Sequence, residues 1–215
     1  MSFEVMLEQL SSGMLRSMSI FFLTLIFSLP LGMIVCFGRM SKNKIISGIT
    51  GFFISVLRGT PLMLQLMAVF YFPYFLFGWP IGNWRFPAII VGFSINYAAY
   101  FAEIYRSGLE AIPKGQHEAA EILLYSKSQK FFMIILPQVI KIILPAVTNE
   151  IITLVKDTSL AFSLSYIELF NIAQQIASAN TTMVPFVVAA IFYYVFNLIV
   201  SFVMRLFEKK LSCYD

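Results

Sequence analysis

Long apolar stretches alternate with short basic clusters along this chain, and that alternation leaves few folds open. The stretches fall at 20–37, 61–77, 86–105, 135–155 and 184–206. Each approaches the roughly 20 apolar residues that a helix needs to cross a bilayer. Backbone polar groups in lipid must be satisfied within the segment, so such stretches are read as helices. Composition agrees. Of 215 residues, 59% are hydrophobic and 12% charged, whereas a soluble domain carries roughly a quarter of charged residues. The expected fold is an all-α integral membrane protein of five transmembrane helices, forming one domain over 1–215.

The basic clusters set the expected orientation. Arg39, Lys42 and Lys44 follow the first stretch, Arg106 and Lys114 the third, and Arg205, Lys209 and Lys210 end the fifth. Lys and Arg are enriched in cytoplasmic loops, which predicts the N-terminus outside and the C-terminus in the cytoplasm of a multi-pass cell-membrane protein. The formal charge of +4 belongs to these clusters and does not imply nucleic acid. The acidic start MSFEVMLEQL lacks the basic region of a cleaved signal peptide. Cys36 and Cys213 have no metal-ligand spacing and are read as free thiols. His117 is the single histidine, so no histidine-based metal cluster is expected, and it is read as part of a solvated helix face.

Local signals refine the spans. Residues Ser2–Arg16 read as a short amphipathic lead, and Pro30 should bend the first span. Apolar residues at 45, 46, 49, 52, 53 and 56 form a helical stripe. It either lies in the inner interface or begins a broken span. Thr60 is expected to cap the next helix, with Pro61 at its first position. Pro145 should kink the fourth span. The segment 157–182 is too polar to cross. Ser165-Tyr166-Ile167-Glu168 fits a capping box, which predicts a helix over about 166–179 at the outer surface or partly re-entrant.

Polar residues inside apolar stretches are candidates for function. Asn96, Tyr100 and Glu103 share a stripe of the third span, with Tyr97 beside it. Glu103 is expected to pair with Arg106 at i,i+3 spacing. Thr148, Asn149, Glu150 and Thr153 form a polar zone placed just outside mid-depth, and Lys156-Asp157-Thr158-Ser159 marks the outer end. Glu150 is read either as a structural carboxylate or as a group facing a water-filled site. Arg58 would pair with a carboxylate or a lipid phosphate. The loop 106–130 is the longest polar interruption. Pro113 reads as the start of a short helix through Leu124, with Ala119 and Ala120 as a flat patch and Glu118 and Glu121 able to meet an arginine on a partner. No Walker A string, H-E-x-x-H or G-x-S-x-G occurs. No catalytic residue and no metal ligand is therefore assigned.

AIPKGQHEAAEIL, followed by FFMIILPQ and KDTSL and preceded by RGTPLMLQL at Arg58–Leu66, resembles the EAA loop and flanking signatures of type I ABC importer permeases. The likeness is strongest to the polar amino-acid permeases, and it covers nearly the whole chain. It implies an ATP-driven importer subunit that moves a polar amino acid into the cell. By resemblance it pairs with a second permease subunit, identical or similar. Two cytoplasmic ATPase subunits would bind ATP and Mg and grip a coupling helix in the loop 106–130, and an extracellular binding protein would deliver substrate. No cofactor is expected on this chain. Gly115, Glu118, Ala119, Ala120 and Leu124 are the coupling candidates. Leu124 stands where the family usually has Gly, which bears on the turn after the docking helix. Asn96, Tyr97, Asn149, Glu150, Asp157, Thr158 and Ser159 are the pathway candidates; on the functional reading of Glu150, its water-filled site would hold the ammonium group of an amino acid, and the resemblance does not fix which side chain touches substrate. The alternative is a secondary carrier in which Glu150 and Asp157 couple Na⁺ or H⁺. Five spans and no visible inverted repeat disfavour it.

Overall fold

The computed structural model describes residues 2–212, and among them it contains helices and no strand. Helix α1 (Phe3–Arg39) is a single helix of 37 residues, N-capped by Ser2, whose hydroxyl oxygen accepts from Val5 N. The separate amphipathic lead expected at Ser2–Arg16 is thus part of the same helix as the first apolar stretch, and Pro30 lies inside it. The buried face of α1 explains the continuity. Gly13, Ser17, Ile20, Thr24, Ser28, Gly32 and Cys36 recur every third or fourth residue and are buried. Such a seam, small at every position but Ile20, lets another backbone approach closely.

Helix α2 (Lys44–Gly59) is capped by Asn43, whose side-chain oxygen accepts from Ile45 N. Its stripe of Ile45, Ile49, Phe52 and Val56 faces outward. Helix α3 (Leu62–Phe77) follows after a bend of 113°. The two are long and apolar enough to cross a membrane only as a broken pair. A short 3₁₀ turn (Gly82–Trp84) leads into α4 (Arg85–Glu110). The polar loop carries α5 (Lys114–Ile122) and a single turn α6 (Lys127–Gln129). A π-helical segment (Lys130–Ile135) runs into α7 (Leu136–Asp157), which ends in a 3₁₀ stretch (Thr158–Leu164). Then come α8 (Leu169–Asn180) and α9 (Val184–Ser212). Among the described residues, four helices are long and apolar enough to cross a membrane, or five segments if the bent pair counts as one.

Helix α4 is the centre of the packing. In its most apolar stretch 67% of the residues are buried, against 22% for the α7 segment and 17% for α9. Small residues make this possible. A Cβ at Gly92 would come within 2.8 Å of Leu66 on α3. One at Gly32 of α1 would meet the Phe101 side chain at 2.8 Å and the Ala98 carbonyl at 3.1 Å. One at Gly108 would collide with Ile143 of α7. Cys36 is buried in this core as a free thiol, and Cys213 lies outside the described residues.

The α8 cap differs from the expected one. Ser165 adopts a left-handed conformation (φ 53°) instead of capping, and the cap is Glu168. Its carboxylate accepts from Phe170 N at 2.8 Å and Asn171 N at 2.7 Å. Ser17 of α1 and Tyr193 of α9 donate to the same group at 3.3 and 3.0 Å. Glu168 is 0% exposed. Burial pushes its carboxyl above the usual carboxylate range, although all four donors pull the other way.

Candidate functional site

The break between α2 and α3 organises one wall of the site. A helix end leaves carbonyls without intrahelical partners. Thr60 is extended (φ −122°, ψ 152°) and ends α2, and Pro61 is the N-cap of α3. Thr60 therefore does not cap α3 as expected; its hydroxyl donates back to Val56 O at 2.8 Å. Gln65 Nε2 donates to Leu57 O (2.8 Å), Thr60 O (3.0 Å) and the Thr60 hydroxyl (2.8 Å). Asn96 Nδ2 donates to Gln65 Oε1 (2.9 Å) and Leu57 O (3.3 Å). Two amides thus hold the break open. Asn96 is 4% exposed and is turned to this task. It is a positioning residue for the break, not an open face of a pathway. The sequence shows Gln65 and Asn96 as polar residues in apolar runs, but not that they serve one break.

The second wall joins α4 to α7. Tyr97 is buried, and its hydroxyl donates to Asp157 Oδ2 at 2.8 Å. Tyr97 lies midway along α4, so Asp157 is at the middle of the bundle, not at its outer end as the sequence suggested. Glu150 is half-buried and lies seven residues before Asp157. That is two helical turns, on the same side of α7. The polar zone at 148–153 divides by side. Thr148 is buried and donates to Glu208 Oε1 of α9 at 2.7 Å. Asn149, Thr153 and Lys156 face outward, continuing Ile142, Pro145 and Ala146 at helical spacing. Thr158 is buried, its hydroxyl donating to Val155 O, so it does not face open space. Ser159 is half-exposed and donates to Lys156 O.

Toward the basic end, Arg58 lies over the Tyr100 ring, 5.3 Å from its centroid, and 4.0 Å from Glu103. Arg106 grips Glu103 through Nε and Nη2 and reaches Glu110 at 2.6 Å. The Glu103–Arg106 pair is the one expected from spacing. Arg58 finds the carboxylate reading of its two alternatives, and Tyr100 adds a cation–π contact that the sequence did not show.

The polar loop projects beyond this end. Ile112, Ile135 and Val139 form a small core of their own with Leu109, Ile134 and Ile143, so the linker from α4 to α5 is tied to the ends of α4 and α7, and α5 packs against the π-helical segment. Pro113 is the N-cap of α5, one residue before the position expected. Gly115, Glu118 and Ala119 are exposed. A Cβ on Gly115 would meet nothing within 4 Å. Ala120, by contrast, is 1% exposed, which corrects the reading of both alanines as an outer patch. Successive helical residues point about 100° apart, so the two cannot share an outer surface. Lys130 binds Glu121 at 2.7 Å and lowers its carboxyl below the usual range. Glu118 remains exposed and outside these ion pairs.

Comparison with known proteins places this architecture. Residues 28–212 match the family described as binding-protein-dependent transport system inner membrane component. The L-cystine transport system permease protein TcyB of Bacillus subtilis (strain 168) is 35% identical over 208 residues, covering 95% of this chain and 87% of that protein. The arginine transport system permease protein ArtQ of the same organism is 36% identical over 204 residues, covering 94% and 92%. The crystal structure of an amino acid ABC transporter with histidines superposes with a TM-score of 0.86 at 31% identity, over 98% of this chain and 99% of that one. An inward-facing methionine ABC transporter at 18% identity and a TM-score of 0.77 shares the fold. The chain belongs to the family of inner membrane components of binding-protein-dependent transport systems, and is a multi-pass permease subunit of the ABC transporter type.

Proposed function

We propose that this subunit forms half of the pathway of an ATP-driven importer for a polar amino acid. The observation that carries the reading is the outward face of α7. Asn149, Thr153 and Lys156 are exposed on a helix long and apolar enough to cross a membrane. Polar side chains at that depth face protein or water, not lipid. A second permease subunit, identical or similar, covers that face, and substrate passes between the two.

The basic end is cytoplasmic, because Arg39, Arg106, Lys209 and Lys210 gather there. The N-terminus of α1 is then outside, and the membrane is the bacterial plasma or inner membrane. Glu150 and Asp157 line the pathway and hold the substrate ammonium, and Tyr97 fixes the Asp157 rotamer. Two ATPase subunits on separate chains bind ATP and Mg and dock on α5, and an extracellular binding protein delivers substrate. ATP-driven closure of the ATPase pair draws the α5 helices together. The small core at Ile112, Ile135 and Val139 transmits that motion to α4 and α7 as a rigid-body rotation.

The test is ATP-driven uptake by the complete transporter in proteoliposomes. Glu150→Gln and Asp157→Asn should each reduce uptake by about tenfold or more, the size expected for losing a charge-assisted contact. Basal ATP hydrolysis should be unchanged. Wild-type uptake in both variants contradicts the pathway assignment.

A further inference from the structure

Between α1, α4 and the start of α7 lies a crevice of about 290 Å³. Met33 of α1, Tyr105 of α4, Phe131 of the π-helical segment and Val139, Ile140 and Leu144 of α7 are among its walls. Tyr105 carries the only polar side chain there, and its hydroxyl donates to Leu29 O at 3.4 Å. An ordered water needs two to four polar partners, and apolar cavities of about 150 Å³ stay dry and take apolar guests. A space this large and this apolar calls for an apolar occupant. Ile140 is exposed at its mouth.

We propose that this crevice seats one acyl chain of an anionic phospholipid of the inner leaflet, with the lipid phosphate on Lys127. The proposal rests on the orientation and the subunit pairing argued under Proposed function. Position on α7 selects lipid over the second subunit. Ile140 and Asn149, Leu144 and Thr153, and Val147 and Lys156 are each nine residues, about two and a half turns, apart. The crevice therefore lies on the side of α7 opposite the polar face that the second subunit covers, and that side meets the bilayer. Charge selects the headgroup. Lys127 is four residues before Phe131, about one turn nearer the basic end and on the same side. It is exposed and makes no ion pair among the described residues. Lysines at that level attract anionic headgroups. Val139 belongs both to the crevice wall and to the small core with Ile112 and Ile135. A chain seated here thus bears on the joint between the polar loop and α7.

The experiment is native mass spectrometry of the complete transporter, stripped of lipid and titrated with phosphatidylglycerol or with phosphatidylcholine of the same chains. Wild type should bind one phosphatidylglycerol per permease chain, about fivefold tighter than phosphatidylcholine. Ile140→Trp, which fills the mouth, should weaken both lipids by about tenfold or more, as loss of a few buried methylenes does. Lys127→Ala, a surface change that leaves the fold intact, should weaken phosphatidylglycerol alone by about fivefold and so remove the preference. Phe202→Trp, on the exposed face of α9, should change neither. Wild-type affinity in Ile140→Trp overturns the seated chain, and an unchanged preference in Lys127→Ala overturns the headgroup contact. Equal weakening by Phe202→Trp marks unspecific bilayer lipid and also overturns the site. If Ile140→Trp separates the two permease subunits and leaves lipid binding unchanged, the crevice is an interface between chains and the proposal fails. Failure of the function proposed above shows differently, as a complex that retains the lipid and takes up no amino acid with ATP.

Discussion

Two short helices, α5 and α8, lie between the long helices of this chain, and they are finished in opposite ways. The start of α8 is closed from within. Its capping carboxylate collects donors from its own backbone, from α1 and from α9. Arg16 donates to Ile167 O at 3.0 Å, and Gly13 lets Leu169 and Ile172 come so near that a Cβ there would be 2.8–2.9 Å away. The end of α5 is closed by a strained leucine and surrounded by exposed apolar side chains. A helix whose polar groups are satisfied by its own chain is part of the fold. A helix that leaves strain and apolar surface outward is not finished by its own chain.

The contrast is broken most forcefully at Glu168. Glu168→Ala leaves several buried donors without an acceptor, at a cost of about 3 kcal/mol or more. The expected outcome is a steep fall in folded yield and thermal stability in detergent. Near-wild-type stability means that α8 is not anchored as described. Glu168→Gln probes the same group through pH. A carboxyl raised in the folded state binds its proton more tightly there than in the unfolded chain. Wild-type stability should therefore fall as pH rises from about 4.3, the unfolded value, through the folded value, and then level off. The Gln variant should lose that part of the slope. The smallest effect is at α5, where Leu124→Gly should raise the stability of the isolated permease by about 1 kcal/mol. No gain would mean that the turn is not strained.

Much of the architecture was legible in the sequence because membrane burial leaves a strong mark. The runs inside α4, α7 and α9 stand out, and so does the loop holding α5. The Glu103–Arg106 pair follows from spacing alone. What the sequence hid depends on partners far along the chain. The capping box at Ser165 was plausible locally, but Ser17 and Tyr193 make Glu168 the cap. Asp157 reads as the end of a run until Tyr97 fixes its height. The continuity of α1 through residues 3–39 was obscured because Glu4, Glu8 and Arg16 look like an interfacial lead. Ala119 and Ala120 are identical in sequence and differ only in which way the helix turns them.

The central proposal is that this subunit is driven by ATPase subunits on separate chains through α5. The direct measurement is uptake of a polar amino acid into proteoliposomes under two regimes, ATP with no ion gradient and an ion gradient with no ATP. The account predicts uphill accumulation only with ATP and the ATPase present, and its loss in Glu118→Arg. Accumulation driven by a gradient in vesicles holding this subunit without an ATPase would contradict it.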